Sequence, residues 1–214
     1  ELEATQAAKG KKQALDMLQQ MMRNPGSVIY VRQQEPAGLG HAVWCARHLA
    51  QSEPVAVLLA DDLILGTGCL GEMLSAYNGG NMVAVMDVPQ NETSSYGIVT
   101  PGADDGRIVE VNGLVEKPSP KDAPSNIAVV GRYIIEPGVF THLDRQEQGA
   151  GGEIQLTDSL ARQIGEVPFS GLRFSGERFD CGSKIGFLQA NIAFALKRDE
   201  LGQHLKSWLE ERVK

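Results

Sequence analysis

Two adjacent acids follow an uninterrupted apolar run in Leu58-Leu59-Ala60-Asp61-Asp62. In a parallel α/β sheet, ligands bind beyond the C-terminal strand ends, and a carboxylate there can hold a Mg2+ ion that bridges phosphates. Side chains alternate along a strand, so one of the two acids points into the cleft while the other caps or orients. Leu63 stands where a metal-binding D-x-D would place a further acid. The plainer reading of the pair is a solvated turn and helix cap. A second constellation is Gln33-Gln34-Glu35-Pro36-Ala37-Gly38-Leu39-Gly40-His41. A glutamine amide offers both a donor and an acceptor to a base edge, and the glycines allow close backbone approach and open a helix whose N-terminus favours anions. A tight turn needing positive φ would use the same residues, and His41 reads as structural. The third pairs Leu114-Val115-Glu116-Lys117-Pro118 with Tyr96-Gly97-Ile98-Val99. At a strand end a carboxylate can take two sugar hydroxyls while a neighbouring ammonium takes a phosphate, and Gly97 leaves room for the ring. On an exposed strand such a Glu-Lys pair is otherwise ordinary. The fourth, Arg178-Phe179-Asp180-Cys181-Gly182, sets an isolated acid between an aromatic and a helix start, where an N-cap is the alternative.

The elements that must position these residues follow from periodicity. Leu15, Leu18 and Met22 recur at helical spacing, flanked by Ala14 and Met21, up to Asn24-Pro25-Gly26. Val28-Ile29-Tyr30-Val31 reads as a short strand, followed by a loop and a helix with Val43, Ala46 and Leu49 or Ala50 on one face. Residues 55–60 form an apolar run of the kind buried on both faces of a parallel sheet. Thr67 then caps a helix carrying Leu70, Met73, Leu74 and Tyr77, and Met82-Val83-Ala84-Val85-Met86 is another buried strand. Strands alternating with helices imply βαβ units and a Rossmann-like α/β fold with a mixed, mainly parallel sheet. After Pro89 the texture changes. Residues 96–99 and 107–111 flank an Asp104-Asp105-Gly106 turn, the pattern of a hairpin in the mixed sheet or in a small β-rich insertion. Residues 127–135 form a strand interrupted by Gly131, and Pro137 suits a first helical turn. GAGGEIQLTDSL leads into a helix, and residues 167–174 supply strand material. A long amphipathic helix follows from Ile185 through Leu196, and Leu201 to Val213 reads as a final helix.

With 214 residues, 42% of them hydrophobic and 22% charged, the chain can bury a sizeable core, and residues 1–214 are expected to form one catalytic domain. A net charge of -7 disfavours a surface built for nucleic acid or anionic membrane. Cys45, Cys69 and Cys181 are odd in number and widely spaced, which indicates neither a disulfide framework nor a zinc site and fits a reducing cytoplasm. No stretch approaches the roughly 18 apolar residues of a membrane span.

Taken in order, RQQEPAGLGHAVWCAR, VLLADDLI, YGIV, GLVEKP, APSNIAVVGRYI, GAGGEIQLTD and RFDCG resemble the bacterial UTP-glucose-1-phosphate uridylyltransferases along nearly the whole chain. The resemblance implies Mg-assisted synthesis of UDP-glucose and pyrophosphate from UTP and glucose 1-phosphate, by direct in-line attack, in a cytoplasmic homo-oligomer. Carried over residue by residue, it places Gln33 and Gly38 on the uracil, and Asp61 on Mg2+ with Asp62 beside it on the nucleotide side. Gly97, Glu116 and Val129 fall at the glucose ring, Lys117 on the phosphates, and Asp180 as a second acid near the metal. Ser183 and Gly68 depart from the family's usual Asp and Pro. A relative using dTTP or ATP, or a non-catalytic sugar-nucleotide binder, are the alternatives. The G-x-G-T-R loop and P-K signature that open the family do not occur here. The resemblance therefore implies at least one βαβ unit, roughly 30 residues or more, ahead of Glu1. The chain by itself is expected to lack activity and to expose apolar faces around residues 28–31 and 55–59.

Overall fold

The structure, a computed structural model, describes residues 2–50 and 52–212, and the chain divides into a unit Glu1–Arg32 and a larger unit Gln33–Lys214. In the first unit, helices α1 (Leu2–Ala8) and α2 (Lys12–Met21) form a pair tied by Gln19 Nε2 donating to Glu3 Oε1 at 3.0 Å. Ala14, Leu15 and Leu18 are half-buried, as the helical spacing required, whereas Met21 and Met22 are exposed. The strand expected at Val28-Ile29-Tyr30-Val31 does not form. Among the described residues no strand pairs with it, and its side chains are exposed, Tyr30 by 93%. Branched apolar residues supply strand propensity, but a strand exists only where a neighbour takes its N–H and C=O groups.

The second unit begins with α3 (Leu39–Cys45) and α4 (Arg47–Ala50), followed by β1 (Val55–Leu58), β2 (Asp62–Leu65), α5 (Cys69–Ala76) and β3 (Asn81–Asp87). The hairpin β4 (Gly97–Asp104) and β5 (Ile108–Glu116) comes next, then β6 (Ile127–Ile135), α6 (Gly138–Leu143) and α7 (Leu156–Ala161). The chain ends with β7 (Phe169–Arg173), β8 (Glu177–Asp180), α8 (Lys184–Leu196) and α9 (Asp199–Arg212); Val213, the last residue expected in the final helix, lies outside the described residues. Six strands make one sheet in the order β1-β6-β3-β7-β5-β4, and β2 and β8 make a second, two-stranded one. The fold is thus the mixed-sheet α/β class implied by the sequence. Among the described strands, however, parallel pairing is confined to β3 with β7, less than the βαβ reading implied, because β1 and β3 both run antiparallel to β6 between them.

Period-2 alternation in β3 builds the core on both sides of the sheet. Val83 and Val85 pack with Val99, Val109, Leu143 and Leu156 under α3, α6 and α7. Met82 and Ala84 face the other way onto Cys69, Met73 and Leu172 under α5. The run at residues 55–60 departs from expectation. β1 is an edge strand, half-buried at Val55 and Val57 but exposed at Ala56 and Leu58, so its apolar sequence does not mark burial on two faces. The cap of α5 also differs: Gly68, at φ +111°, occupies the cap position, and Thr67 Oγ1 donates to Glu72 Oε1 at 3.3 Å instead. The Asp104-Asp105-Gly106 turn forms as read, with Asp105 Oδ1 accepting from the backbone N–H groups of Arg107 and Ile108. No helix among the described residues is long and apolar enough to cross a membrane.

Candidate active site

The neighbouring acids separate at the start of β2. Asp61 sits in the turn after β1, exposed, and its carboxylate has no hydrogen bond or ion pair among the described residues. Asp62 opens β2 with 5% exposure. Its Oδ2 accepts from Gly131 N at 2.7 Å and its Oδ1 from Arg178 Nε at 2.5 Å. Arg132 secures the same turn from β6, donating through one nitrogen to Leu59 O and Gly131 O and through the other to Asp62 O. A methyl group built on Gly131 would lie 2.4 Å from Asp62 Oδ2, so glycine is what lets the carboxylate reach the strand. Both oxygens of Asp62 are therefore engaged within the protein. The geometry suits Asp62 to the orienting half of the pair, and it lines the adjoining cleft.

Across the second sheet, Asp62 is in register with Asp180. Asp180 is not the cap of α8. Ser183 fills that place, its Oγ accepting from Gly186 N at 3.0 Å, while Asp180 Oδ1 accepts from Gly182 N at 2.9 Å. Cys181 N donates to Asp61 O at 2.7 Å and stitches the two acidic turns together. A methyl group on Gly182 would lie 3.0 Å from Asp180 Oδ1 and 3.3 Å from Asp61 Oδ2, so the two carboxylates border one small space.

Asp180, on one side of that space, also lines a cleft of about 260 Å³ together with Asp62, Gly97, Glu116, Lys117, Val129, Tyr133, Thr157 and Arg178, among others. Gly97 is in register with Glu116 across the hairpin, and a methyl group there would meet Glu116 Oε2 at 3.1 Å and Thr157 Cγ2 at 3.3 Å. Successive strand residues face opposite ways, yet Glu116 and Lys117 both line the cleft, with Nζ 3.9 Å from Glu116 Oε1. The backbone explains this. Lys117 lies at φ +47°, which ends the alternation just after β5, and its N–H donates to Tyr96 O at 3.0 Å. Val129, Gly131 and Tyr133 present alternate residues of β6 to the same cleft. Burial pushes the Tyr133 hydroxyl well above the usual phenol range, and the negative charges of Glu116 and Asp62 act in the same direction, so it remains a donor at neutral pH.

Gln33 and Gly38 stand apart from this cleft, before α3, where Leu39 is the nearest residue that lines it. Gly38, at φ +105°, and Gly40 both lie against the Ile154 carbonyl, 2.7 Å from where a methyl group on either would sit. Backbone bonds from Ile154 N to Ala37 O and from Gly40 N to Ile154 O, each 2.8 Å, fasten the loop. The glycines are thus required by packing. The Gln33 amide is not free to offer both faces, since Nε2 lies 3.0 Å from Gly38 O and 3.0 Å from His41 Nδ1. The structure therefore groups Gly97, Glu116, Lys117, Val129 and Asp180 in one cleft, sets Asp61 beside Asp180, and leaves Gln33 and Gly38 at the α3 end. Sequence reasoning missed Arg178, Arg132, Tyr133 and Thr157, although all four fall within the quoted motifs. A larger groove of about 520 Å³ between α3 and β1 is lined by Val43, Leu58, Phe140 and other apolar residues, with Asp61 its one ionisable member among the described residues.

Comparison with known proteins gives one consistent result. A family model described as Nucleotidyl transferase matches residues 6–195. The UTP-glucose-1-phosphate uridylyltransferase of Komagataeibacter xylinus is 50% identical over 188 residues, covering 86% of this chain and 66% of that protein. That of Bacillus subtilis strain 168 is 41% identical over 214 residues, covering 98% and 73%. The structure of UTP-bound UGPase from Acinetobacter baumannii superposes with a TM-score of 0.87 at 36% identity, covering 98% of this chain and 74% of that one. A UDP-glucose pyrophosphorylase complexed with UDP-glucose gives a TM-score of 0.76 at 39% identity, covering 79% and 66%. The chain thus spans between about two thirds and three quarters of the length of these relatives.

Proposed function

Because this chain belongs to the nucleotidyl transferase family, among the UTP-glucose-1-phosphate uridylyltransferases, we propose that its protein joins glucose 1-phosphate to UTP, forming UDP-glucose and releasing pyrophosphate. The observation that carries the reading is the convergence of the Asp61 and Asp180 carboxylates over Gly182, with Asp180 also lining the cleft that holds Glu116 and Lys117. Glucose would occupy that cleft, with Glu116 on its hydroxyls, Gly97 and Val129 against the ring, and Lys117 on the phosphate. UTP would lie toward α3, its uracil at Gln33 and Gly38. Direct in-line displacement needs no covalent intermediate, so the protein's task is to align two anions and offset their charge.

Nucleotidyl transferases generally use a divalent metal, and Asp61 and Asp180 fit Mg2+. No third His, Cys, Asp or Glu joins them among the described residues. Two carboxylates with water and phosphate oxygens suit Mg2+, which is seldom caged by protein alone, and do not suit zinc. When bound, the ion would neutralise charge on the phosphates. Asp61 and Asp180 would hold it, Asp62 and Arg132 fix the Asp61 turn, and Lys117 would supply the second positive charge. A cytoplasmic homo-oligomer belongs to the same reading; Ile185, Phe187 and Leu188 leave α8 with an exposed apolar surface that assembly would cover, and light scattering of the purified protein checks the assembly. The deciding experiment replaces Asp61 by Ala in the natural full-length protein and assays UDP-glucose formation at saturating Mg2+. Turnover should be abolished, and near-normal turnover would overturn the assignment.

A further inference from the structure

The hydrogen bonds around Gln33 single out His41, a residue with no place in the reaction as described above. The Gly38 carbonyl can only accept, so its 3.0 Å contact fixes the NH2 end of the Gln33 amide on that side. The second amide hydrogen then points to His41 Nδ1, also at 3.0 Å, and this nitrogen must present its lone pair. The imidazole proton is left on Nε2, 3.9 Å from Cys45 Sγ. The ring is held by stacking on Trp44 at 5.6 Å, and Trp44 is itself held by Asp144 Oδ1 at 2.6 Å and by the Arg47 guanidinium 3.7 Å above it. Both donors of Gln33 are therefore used internally, and Oε1 has no partner among the described residues.

We infer that His41 is a positioning residue for nucleotide recognition: by accepting from Gln33 in its Nε2-protonated tautomer, it joins the Gly38 carbonyl in locking the amide so that Oε1, an acceptor, is the atom offered to the base. Uracil presents its N3–H as a donor between two carbonyl oxygens, and an acceptor locked in place matches that hydrogen. A rotating amide would instead spend part of its time offering NH2 to the same edge. This inference rests on the proposed contact between Gln33 and uracil, and the experiment separates the two.

Steady-state kinetics of the full-length protein would compare the wild type with Gln33→Ala, His41→Leu and His41→Asn, varying UTP and glucose 1-phosphate separately. Gln33→Ala should raise KM for UTP. His41→Leu, which fills space but cannot accept, should raise KM for UTP about five- to tenfold, the equivalent of one net hydrogen bond, with kcat and KM for glucose 1-phosphate unchanged. His41→Asn, whose Oδ1 can replace Nδ1 as acceptor, should restore KM to near the wild-type value. An unchanged KM in Gln33→Ala overturns the uracil contact itself. A raised KM in Gln33→Ala with a normal one in His41→Leu overturns only the role of His41, as does equal loss in every constant or failure of His41→Asn to rescue. Should His41→Leu fail to fold, the imidazole nitrogen spectrum of the wild type decides: an Nδ1-protonated tautomer sinks the inference, and an Nε2-protonated one upholds it.

Discussion

Replacing Asp62 by Ala should remove much of the fold's stability, whereas replacing its neighbour Asp61 by Ala should leave stability intact. Asp62 is 5% exposed and accepts from Gly131 N and Arg178 Nε. Truncation orphans a buried backbone donor and leaves a guanidinium whose side chain is only 12% exposed without its counter-charge. Breaking such a pair by removing one partner costs about 3–5 kcal/mol. Arg178 keeps one further contact, the Tyr96 hydroxyl at 3.2 Å, which favours the lower part of that range, about 3–4 kcal/mol. For a domain of this size the loss corresponds to a fall of about 6–16 °C in Tm. Asp61, exposed and with its carboxylate unpaired among the described residues, should stay within about 0.5 kcal/mol, or under about 2 °C. Thermal and urea melts of both variants would be read by circular dichroism, with Asp62→Ala/Arg178→Met as a third arm. Removing both charges should recover part of the loss, because an uncompensated ion is then no longer buried. The reasoning fails if Asp62→Ala melts within about 2 °C of wild type, if Asp61→Ala falls as far, or if the double variant is no better than the single.

Lys117→Ala in the full-length protein should mainly lower kcat, by up to about three orders of magnitude if its phosphate contact is worth on the order of 4 kcal/mol before desolvation; Glu116→Gln should mainly weaken discrimination between glucose 1-phosphate and its epimers, and identical kinetic profiles would refute this division. Burial holds the Asp158 carboxyl above the usual carboxylate range, with Arg162 only partly opposing it. The folded chain thus keeps a proton that the unfolded chain releases, so the contribution is intact below the ordinary Asp pKa of about 3.9 and is lost as pH rises through the folded value. Asp158→Asn should accordingly be more stable than wild type in urea at neutral pH, with the gain vanishing toward pH 4; a gain that grows in acid would reverse the sign and sink the argument.

Local signals in the sequence were read correctly where the structure is local. The hairpin around Asp104-Asp105-Gly106 is closed by Asp105 bonding residues two and three positions on, and β3 is buried on both faces as its unbroken apolar run implied. What could not be read were properties set by a distant partner. Val28-Ile29-Tyr30-Val31 looks like a strand but has no pairing neighbour among the described residues, and β1 looks twice-buried but lies at an edge. Arg178 meets Asp62 across 116 residues, and Arg132 reaches Leu59 across 73. No periodicity encodes such pairs, so the support beneath the acidic turn becomes visible only in three dimensions, whereas Glu116, Lys117 and Asp180 stand in contiguous motifs that the sequence displays directly.

The positive φ of Lys117 narrows what this position can become over evolutionary time. Glycine and asparagine adopt that backbone most readily, yet neither carries the ammonium that lines the cleft beside Glu116. Arginine keeps a charge but meets the same backbone penalty, and its planar fork does not replace a compact ammonium. β-Branched residues are excluded on both counts. Any single replacement therefore trades conformational ease against charge, and drift at this site should be slow even where the neighbouring strand residues vary freely.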